Sequence, residues 1–321
     1  MAASIEFSDV YKRYGAQPVL RGLNFHVNPG EIVGLLGPNG CGKTTTLRLI
    51  AGFLTPDAGQ VRVSGQAVGS GSLAARRRIG YLPEKPPLYD ALRVQDYLDF
   101  VAAAKGLAGD ARRRAVGLAM ERYALVQVAR QVIATLSKGY RQRVGLAQAT
   151  LAEPEVLLLD EATNGLDALQ IVETRQLIRA GSQGRAVVFC SHLMQEVAAL
   201  CDRVLVLHEG RTVALDDESR ATRLLLRLQG LGAAQAQALL DAVPGVSDGR
   251  CEAAGAELVY RCTAHSPLVA DALARAVLPH GQLLALEVQR ASLEDRFIAA
   301  MARESAKTAR AGRQTSTGAT P

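Results

Sequence analysis

Three short stretches hold residues whose types and spacing could do chemistry. The first is Gly37-Pro38-Asn39-Gly40-Cys41-Gly42-Lys43-Thr44-Thr45. Its G-x-x-x-x-G-K-T spacing suits a phosphate chain, because small residues let the backbone N–H groups turn inward and wrap an anion. Lys43 then reaches the outer phosphates, Thr44 offers its hydroxyl to Mg²⁺, and the helix that starts there points its positive end at the anion. The second stretch, Val156-Leu-Leu-Leu-Asp160-Glu161, ends an apolar run in two adjacent carboxylates. Asp160 suits a Mg²⁺ shell, directly or through water, and Glu161 suits a base or orienter for an attacking water. In the third, Leu136-Ser137-Lys138-Gly139-Tyr140, Ser137 and the Gly139 N–H stand at a helix start, where a terminal phosphate can bind.

The elements around these stretches must hold them together. Ile32 to Leu36 is a short apolar run fit for a buried strand, and Thr45-Thr-Leu-Arg-Leu-Ile continues with helical spacing. Strand character recurs at Val156 to Leu159 and Ala186 to Cys190, each followed by helix-like sequence, Leu169 to Ala180 and Leu193 to Leu200. Strands alternating with helices imply a parallel sheet with both faces covered. Ser4 to Val10 and Gly22 to Val27 instead alternate apolar and polar residues, as half-buried strands of an antiparallel edge sheet do. A second strand pair is expected at Gln60 to Ser64 and Arg78 to Leu82, around a glycine-serine loop at Gly69 to Ser72. After Pro83 a helical insert begins, with helices expected over Val94 to Ala104, Asp110 to Tyr123 and Arg141 to Ala152; Asp96 and Asp110 stand as early-turn acids.

Texture changes near Asp216. Ala221 to Gln229 reads as strand or helix, Ala233 to Ala242 and Pro267 to Val277 as helices, and Glu257 to Thr263 and Gln282 to Val288 as strands. A last helix, Ser292 to Ala302, is capped by Ser292 with Asp295 three residues on. Residues 303–321, rich in Ala, Thr, Gly, Ser and Arg, lack apolar periodicity and are expected to be a disordered tail. The domains expected are therefore 1–215, with a helical subdomain at about 84–153, and a small α/β domain at 216–302.

Composition narrows the class. With 321 residues, 48% of them hydrophobic, the chain can bury a large core in two domains. No apolar run approaches the roughly 18 residues that span a bilayer, and the first residues lack the build of a signal peptide, so a cytoplasmic protein is expected. The five cysteines, Cys41, Cys190, Cys201, Cys251 and Cys262, lack C-x-x-C spacing, which argues against zinc and against a disulfide framework. A net charge of +6 permits a nucleic-acid or membrane-surface partner, but with 4% aromatic residues there is little for bases to stack on, and no nucleic acid is expected. The phosphate loop occurs once, so the chain holds one nucleotide-binding unit.

Thr135 to Tyr140, continued by Arg-Gln-Arg-Val-Gly-Leu-Ala-Gln, resembles the signature helix of ATP-binding cassette (ABC) ATPases in its LSKGY form. The order of motifs agrees: Tyr14, the Gly37 to Thr45 loop, Leu136 to Tyr140, Val156 to Glu161, the loop Asn164-Gly-Leu-Asp167, and His192. The resemblance implies an α/β P-loop NTPase cassette, with a mostly parallel core sheet, an antiparallel β edge and a helical signature subdomain. It implies an ATPase that uses Mg²⁺. It further implies that Leu136, Ser137, Lys138, Gly139 and Tyr140 meet ATP held by a second cassette, so that two copies close head to tail around two nucleotides. His192 is implied to contact the γ-phosphate and to hold water geometry with Glu161. Tyr14 matches the aromatic that stacks on adenine, the other reading being a packing tyrosine; Asp167 either couples the two sites or caps the next helix. Within the family, the LSKGY signature, the Leu-Pro-Glu84 loop and Ser292-Leu-Glu-Asp-Arg-Phe297 look most like ABC-2 type exporters of the multidrug and gliding-motility kind. The partner implied is an integral membrane permease on a separate chain, which would hold the ATPase on the inner face of the membrane. A soluble ABC ATPase acting on ribosomes or nucleic acid is the alternative, and it usually carries two cassettes or a long coiled coil, neither visible here. An importer ATPase is disfavoured by the signature variant.

Two positions carry expectations of their own. Glu84 stands where the family has a glutamine, and a carboxylate there adds negative charge near phosphates and loses an amide donor. Cys41 lies in the phosphate loop beside Lys43 and a helix N-terminus, which would lower its pKa. A maleimide would then inactivate the protein and ATP would protect it; the competing reading is a small residue chosen for fit.

Overall fold

The computed structural model describes residues 3–69, 73–213, 215, 222–264, 266, 268–289, 293–298 and 300–304. Its contacts divide the chain into two units, Met1–Ala214 and Leu215–Pro321.

In the first unit, period-2 sequences and continuous apolar runs go to different sheets, as burial requires. β1 (Ile5–Tyr14) and β2 (Gln17–Val27) form a hairpin, and β1 also pairs with β4 (Ala58–Val63), which carries the short β5 (Gln66–Ala67). This sheet is antiparallel in the order β2-β1-β4-β5. The other sheet runs β10-β9-β3-β8-β7-β6, from β3 (Ile32–Leu36), β6 (Ile79–Leu82), β7 (Val156–Asp160), β8 (Ala186–Cys190), β9 (Arg203–His208) and β10 (Arg211–Val213). All its pairs are parallel except β9 with β10. Every residue of β3, β7 and β8 is buried, the pattern of a sheet covered on both faces. Each such Val or Leu stabilises the fold by roughly 1.5–3 kcal/mol relative to leaving it in water.

The helices follow their sequence signals closely. α1 (Lys43–Ile50) leaves the phosphate loop, and α2 (Leu73–Arg77) precedes β6. α3 (Val94–Ala104) and α4 (Gly109–Arg122) carry Asp96 and Asp110 in their first turns, and α5 (Lys138–Thr150) completes the helical insert. α6 (Ala168–Gly181) follows β7, and α7 (Met194–Leu200) follows β8. α5 approaches β6 closely because glycines face the contact: a Cβ on Gly80 would lie 2.3 Å from the Ala149 carbonyl oxygen, and one on Gly145 would lie 2.6 Å from Leu82 Cδ1.

Two expectations need correction. Gln60 to Ser64 and Arg78 to Leu82 are not a pair: β4 pairs with β1, whereas β6, apolar on both faces, joins β7 in the parallel sheet. Of the loop expected between them, residues 70–72 lie outside the described residues. β1 runs past the expected end at Val10 to Tyr14, with register shifts in its pairing with β2. β9 and β10 had not been anticipated; Arg203 to His208 mixes charge with apolar residues because it lies near the sheet's edge.

The second unit is a βαββαβ fold: β11 (Thr222–Gln229), α8 (Ala233–Asp241), β12 (Val246–Ala254), β13 (Glu257–Ala264), α9 (Leu268–Val277) and β14 (Gln282–Gln289). Its sheet is antiparallel in the order β12-β13-β11-β14, the arrangement of two split βαβ halves. Leu224, Leu226, Leu228, Tyr260, Leu240 and Leu273 fill its own core. The ambiguous stretch before Gln229 is therefore strand. β12 had escaped the sequence reading because Asp248, Gly249 and Arg250 interrupt its alternation at a register shift. Residues 293–298 and 300–304 are helical, so Arg303 and Glu304 belong to that helix and not to a tail, while the proposed cap Ser292 and residues 305–321 lie outside the described residues.

Gly80→Ala should cost about 1–3 kcal/mol, since the obstructing atom is a backbone oxygen that cannot rotate away. Gly117→Ala, mid-helix in α4 with open space around its Cβ, should instead stabilise by up to about 1 kcal/mol. Urea unfolding of both variants measures the contrast.

Candidate functional site

Three neighbouring strands bring the chemistry together at one end of the parallel sheet. β3 lies between β9 and β8, and β8 between β3 and β7, with Leu35 and Asp160 both in register with Cys190. The phosphate loop leaves β3, Glu161 leaves β7, and Ser191-His192 leaves β8, so all three emerge at the carboxyl ends of adjacent strands, where open α/β sheets hold ligands. The Glu161 N–H donates to the Cys190 carbonyl at 2.9 Å, which ties the two exits together.

The loop itself is shaped for an anion. Gly42 precedes α1 with φ 114°, in the left-handed region, and no side chain caps the helix. The first N–H groups of α1 therefore have no partner inside the helix and face the loop's interior. Gly37 must be glycine, because a Cβ there would lie 2.3 Å from the Leu207 carbonyl oxygen and 2.7 Å from Cys41 Sγ. Pro38, Asn39, Gly40 and Thr44 are exposed, and Thr45 is buried beneath them. Lys43 is buried, its ammonium donating to the carbonyls of Gly37 at 2.6 Å and Pro38 at 3.1 Å.

Opposite the lysine stand the acids. Asp160 is buried, and desolvation, with Glu161 and Glu84 nearby, pushes its pKa up to about 6, even though the Thr44 hydroxyl and Lys43 act to lower it. A carboxylate so placed calls for a cation, and with the Thr44 hydroxyl it offers the oxygen donors that Mg²⁺ prefers. Glu161 takes φ 49°, an uncommon conformation for glutamate that aims the side chain out of the strand. Its Oε2 lies 2.8 Å from His192 Nδ1. In the tautomer that carries its proton on Nδ1, His192 donates to this carboxylate and keeps Nε2 as an acceptor. Glu84 Oε1 accepts from Asn164 Nδ2 at 3.3 Å, so this unusual acid reaches the loop that follows Glu161.

The remaining positions occupy the flanks. Tyr14 is 46% exposed at the end of β1, so core packing does not consume its ring. Leu136 is buried, and Ser137 caps α5 by accepting from the Tyr140 N–H at 3.4 Å. The Lys138 ammonium lies over Gly165, since a Cβ there would come within 2.1 Å of it, and Gly139 packs against Gln170. Tyr140 accepts from Gln127 Nε2 at 3.0 Å beneath the Arg143 guanidinium, and Arg143 pairs with Glu173 of α6 at 2.5 Å. Asp167 caps α6, accepting from the Gln170 N–H at 2.9 Å. Sequence reasoning passed over Glu196, a buried carboxylate behind Glu161 and His192; its place four residues after His192 in a short helix offered no distinguishing signal.

Cys41 reverses its expectation. The thiol is buried in the core with Val33, Leu35 and Leu207, and desolvation raises its pKa although Lys43 acts to lower it. Burial beside Gly37 and the raised pKa favour the competing reading, a small residue that fits the loop.

Known proteins place these features in context. The ABC transporter family model matches residues 20–164. The linearmycin resistance ATP-binding protein LnrL of Bacillus subtilis is 31% identical over 305 residues, covering 92% of this chain and 97% of that protein. The Nod factor export ATP-binding protein I of Burkholderia pseudomallei is 40% identical over 216 residues, 66% of this chain and 70% of that one. Among solved structures, an ATP-binding subunit of an ABC transporter superposes with a TM-score of 0.60 at 32% identity, over 65% of this chain and 88% of that one. CbiO1 of Clostridium perfringens, part of the ABC transporter complex cbiONQ, gives 0.62 at 27% identity, over 67% and 88%.

Cys41 in the folded protein should react with a maleimide at least about tenfold more slowly than in urea-unfolded chain. Peptide mapping by mass spectrometry measures this, and ATP should make little difference to the slow folded-state rate.

Proposed function

We infer how this chain works from the premise that it belongs to the ABC transporter family and is the ATP-binding, ATP-hydrolysing subunit of a transporter. Two copies close head to tail around two ATP molecules and drive an integral membrane permease encoded separately, in export of the ABC-2 type. The observation that carries the hydrolytic reading is the 2.8 Å contact between Glu161 and His192 beside the phosphate loop.

In this reading the loop from Gly37 to Thr45 binds the phosphates through its N–H groups, and Tyr14 stacks on the base. Lys43 exchanges its carbonyl partners for phosphate oxygens, which a charged donor favours. Mg²⁺, held by Thr44 and by Asp160 directly or through water, offsets phosphate charge when bound. Glu161 orients the attacking water and accepts its proton, while His192, fixed by Glu161 through Nδ1, faces the terminal phosphate with Nε2. Each site is finished by Leu136 to Tyr140 of the second copy, where Ser137 and the N–H groups at the start of α5 meet the terminal phosphate. Asp167 couples the two sites. An isolated copy therefore binds ATP and turns it over slowly.

The permease contact is assigned to the junction of the Glu84 loop and the helical insert. Tyr89 and Phe100 are each about half exposed and pack against one another with ring centroids 5.4 Å apart. Phe53, 62% exposed, packs on Tyr81 nearby in sequence to Glu84. Exposed aromatics of this kind mark protein-binding surfaces. Glu84 links this region to Asn164, and so to the hydrolytic loop. In this reading the permease holds the chain at the inner face of the membrane; among the described residues no helix is long and apolar enough to cross one.

Glu161→Gln should lower ATP turnover by roughly 100-fold or more while retaining ATP and trapping a dimer, seen by light scattering. Lys43→Ala should weaken nucleotide binding itself, read by titration calorimetry. Purification of the tagged full chain from membranes should recover a polytopic membrane protein, and Tyr89→Ser with Phe100→Ser should reduce that recovery; ribosomal RNA or DNA in its place would favour the soluble alternative.

A further inference from the structure

Glu196 is a buried carboxylate that the hydrolytic scheme leaves unused. Only 4% of the residue is exposed, within α7 and one helical turn beyond His192. Its Oε2 accepts from the Thr163 hydroxyl and from the Ser191 hydroxyl, the latter at 3.2 Å. Its Oε1 is shut off from solvent and has no hydrogen-bond partner among the described residues. Taking a carboxylate out of water with no cation beside it is costly, and a leucine would fill similar space without that cost. The placement has a use when the two donors are located in the chain.

Those donors come from the two loops that carry the hydrolytic pair. Thr163, 1% exposed, follows Glu161 by two residues on the turn that leads to Asn164. Ser191, fully buried, immediately precedes His192, and its hydroxyl oxygen also accepts from the Leu193 N–H at 3.1 Å. One oxygen atom thus holds both loops from behind, while Glu161 and His192 meet in front of them at 2.8 Å. We propose that Glu196 is a positioning residue for the Glu161–His192 pair, clamping the loops after β7 and β8 at the separation that pair requires. This rests on the hydrolytic reading of Glu161 and His192 given above. A clamp of this kind changes the chemical step and leaves nucleotide affinity alone, because Thr163 and Ser191 do not belong to the phosphate loop. Removing it displaces a water-orienting group by fractions of an ångström, a change to which a hydrolytic step is sensitive.

The test compares steady-state turnover and ATP affinity of the full chain across variants. Glu196→Leu should lower kcat by about tenfold or more with KM and the ATP Kd within about twofold of the parent. Glu196→Gln keeps a carbonyl oxygen that can accept both hydroxyls and should stay within about threefold of the parent. Added to His192→Ala, Glu196→Leu should cause no further loss, because the pair it positions is already gone. Unchanged kcat in Glu196→Leu would overturn the proposal. So would an equal fractional loss in the His192→Ala background, or a loss that follows ATP affinity. If Glu196→Leu fails to fold, Thr163→Val and Ser191→Ala remove the donors and keep the carboxylate, and the same comparisons decide. Glu161→Gln run alongside separates the two levels: retained turnover there defeats the hydrolytic reading and this proposal with it, whereas an inactive Glu161→Gln beside a fully active Glu196→Leu defeats the clamp alone.

Discussion

The site depends on the parallel register of three buried strands. Leu35, Asp160 and Cys190 lie side by side across β3, β7 and β8, so the loops that follow them leave the sheet at one level. The hydrogen bond from the Glu161 N–H to the Cys190 carbonyl holds two of those exits within one peptide of each other. A slip of one residue in β7 would turn Asp160 to the other face and leave Thr44 without its neighbour. Apolar residues on both faces would by themselves tolerate that slip, so close packing and the polar Asp160 at the end of β7 must hold the register.

Charge is the second constraint, and it acts in opposition to the first. Burial drives the strands together, yet it also brings Asp160, Glu161 and Glu84 close enough that Asp160 is held as a weak acid at about 6. Lys43, bonded to the loop's own carbonyls, offsets only part of this. The site is thus arranged around charges that favour a cation near Thr44 and Asp160, with an anion at the head of α1. The same burial that raises Asp160 also raises the Cys41 thiol, against the pull of Lys43.

Contacts between motifs extend the site into the helical insert. α5, which begins at Ser137, is seated on β6 through Gly80 and Gly145, and linked to α6 by Arg143 and Glu173. The signature helix and the loop ending at Asp167 therefore share a rigid base, and Glu84 adds a side-chain link to Asn164. The second unit stands on a core of its own and follows different rules: its βαββαβ order is antiparallel throughout, with two helices on one face.

The sequence by itself determined the phosphate loop, the paired carboxylates and the signature helix, because each is a local pattern whose spacing carries its chemistry. It also determined α3 to its ends and the buried strands β3, β7 and β8, where periodicity and length leave little choice. Tertiary structure decided what depends on pairing and depth. Gln60 to Ser64 and Arg78 to Leu82 look alike as strands, but only the burial of both faces sends the second to the parallel sheet. Charge neighbours in the chain predicted a reactive Cys41, whereas desolvation, invisible in one dimension, outweighs Lys43. The contacts of Glu161 with His192 and of Glu196 with Thr163 join residues 31 and 33 positions apart. Such contacts arise only because adjacent parallel strands bring their carboxyl ends together, and no local spacing records which strands will be adjacent.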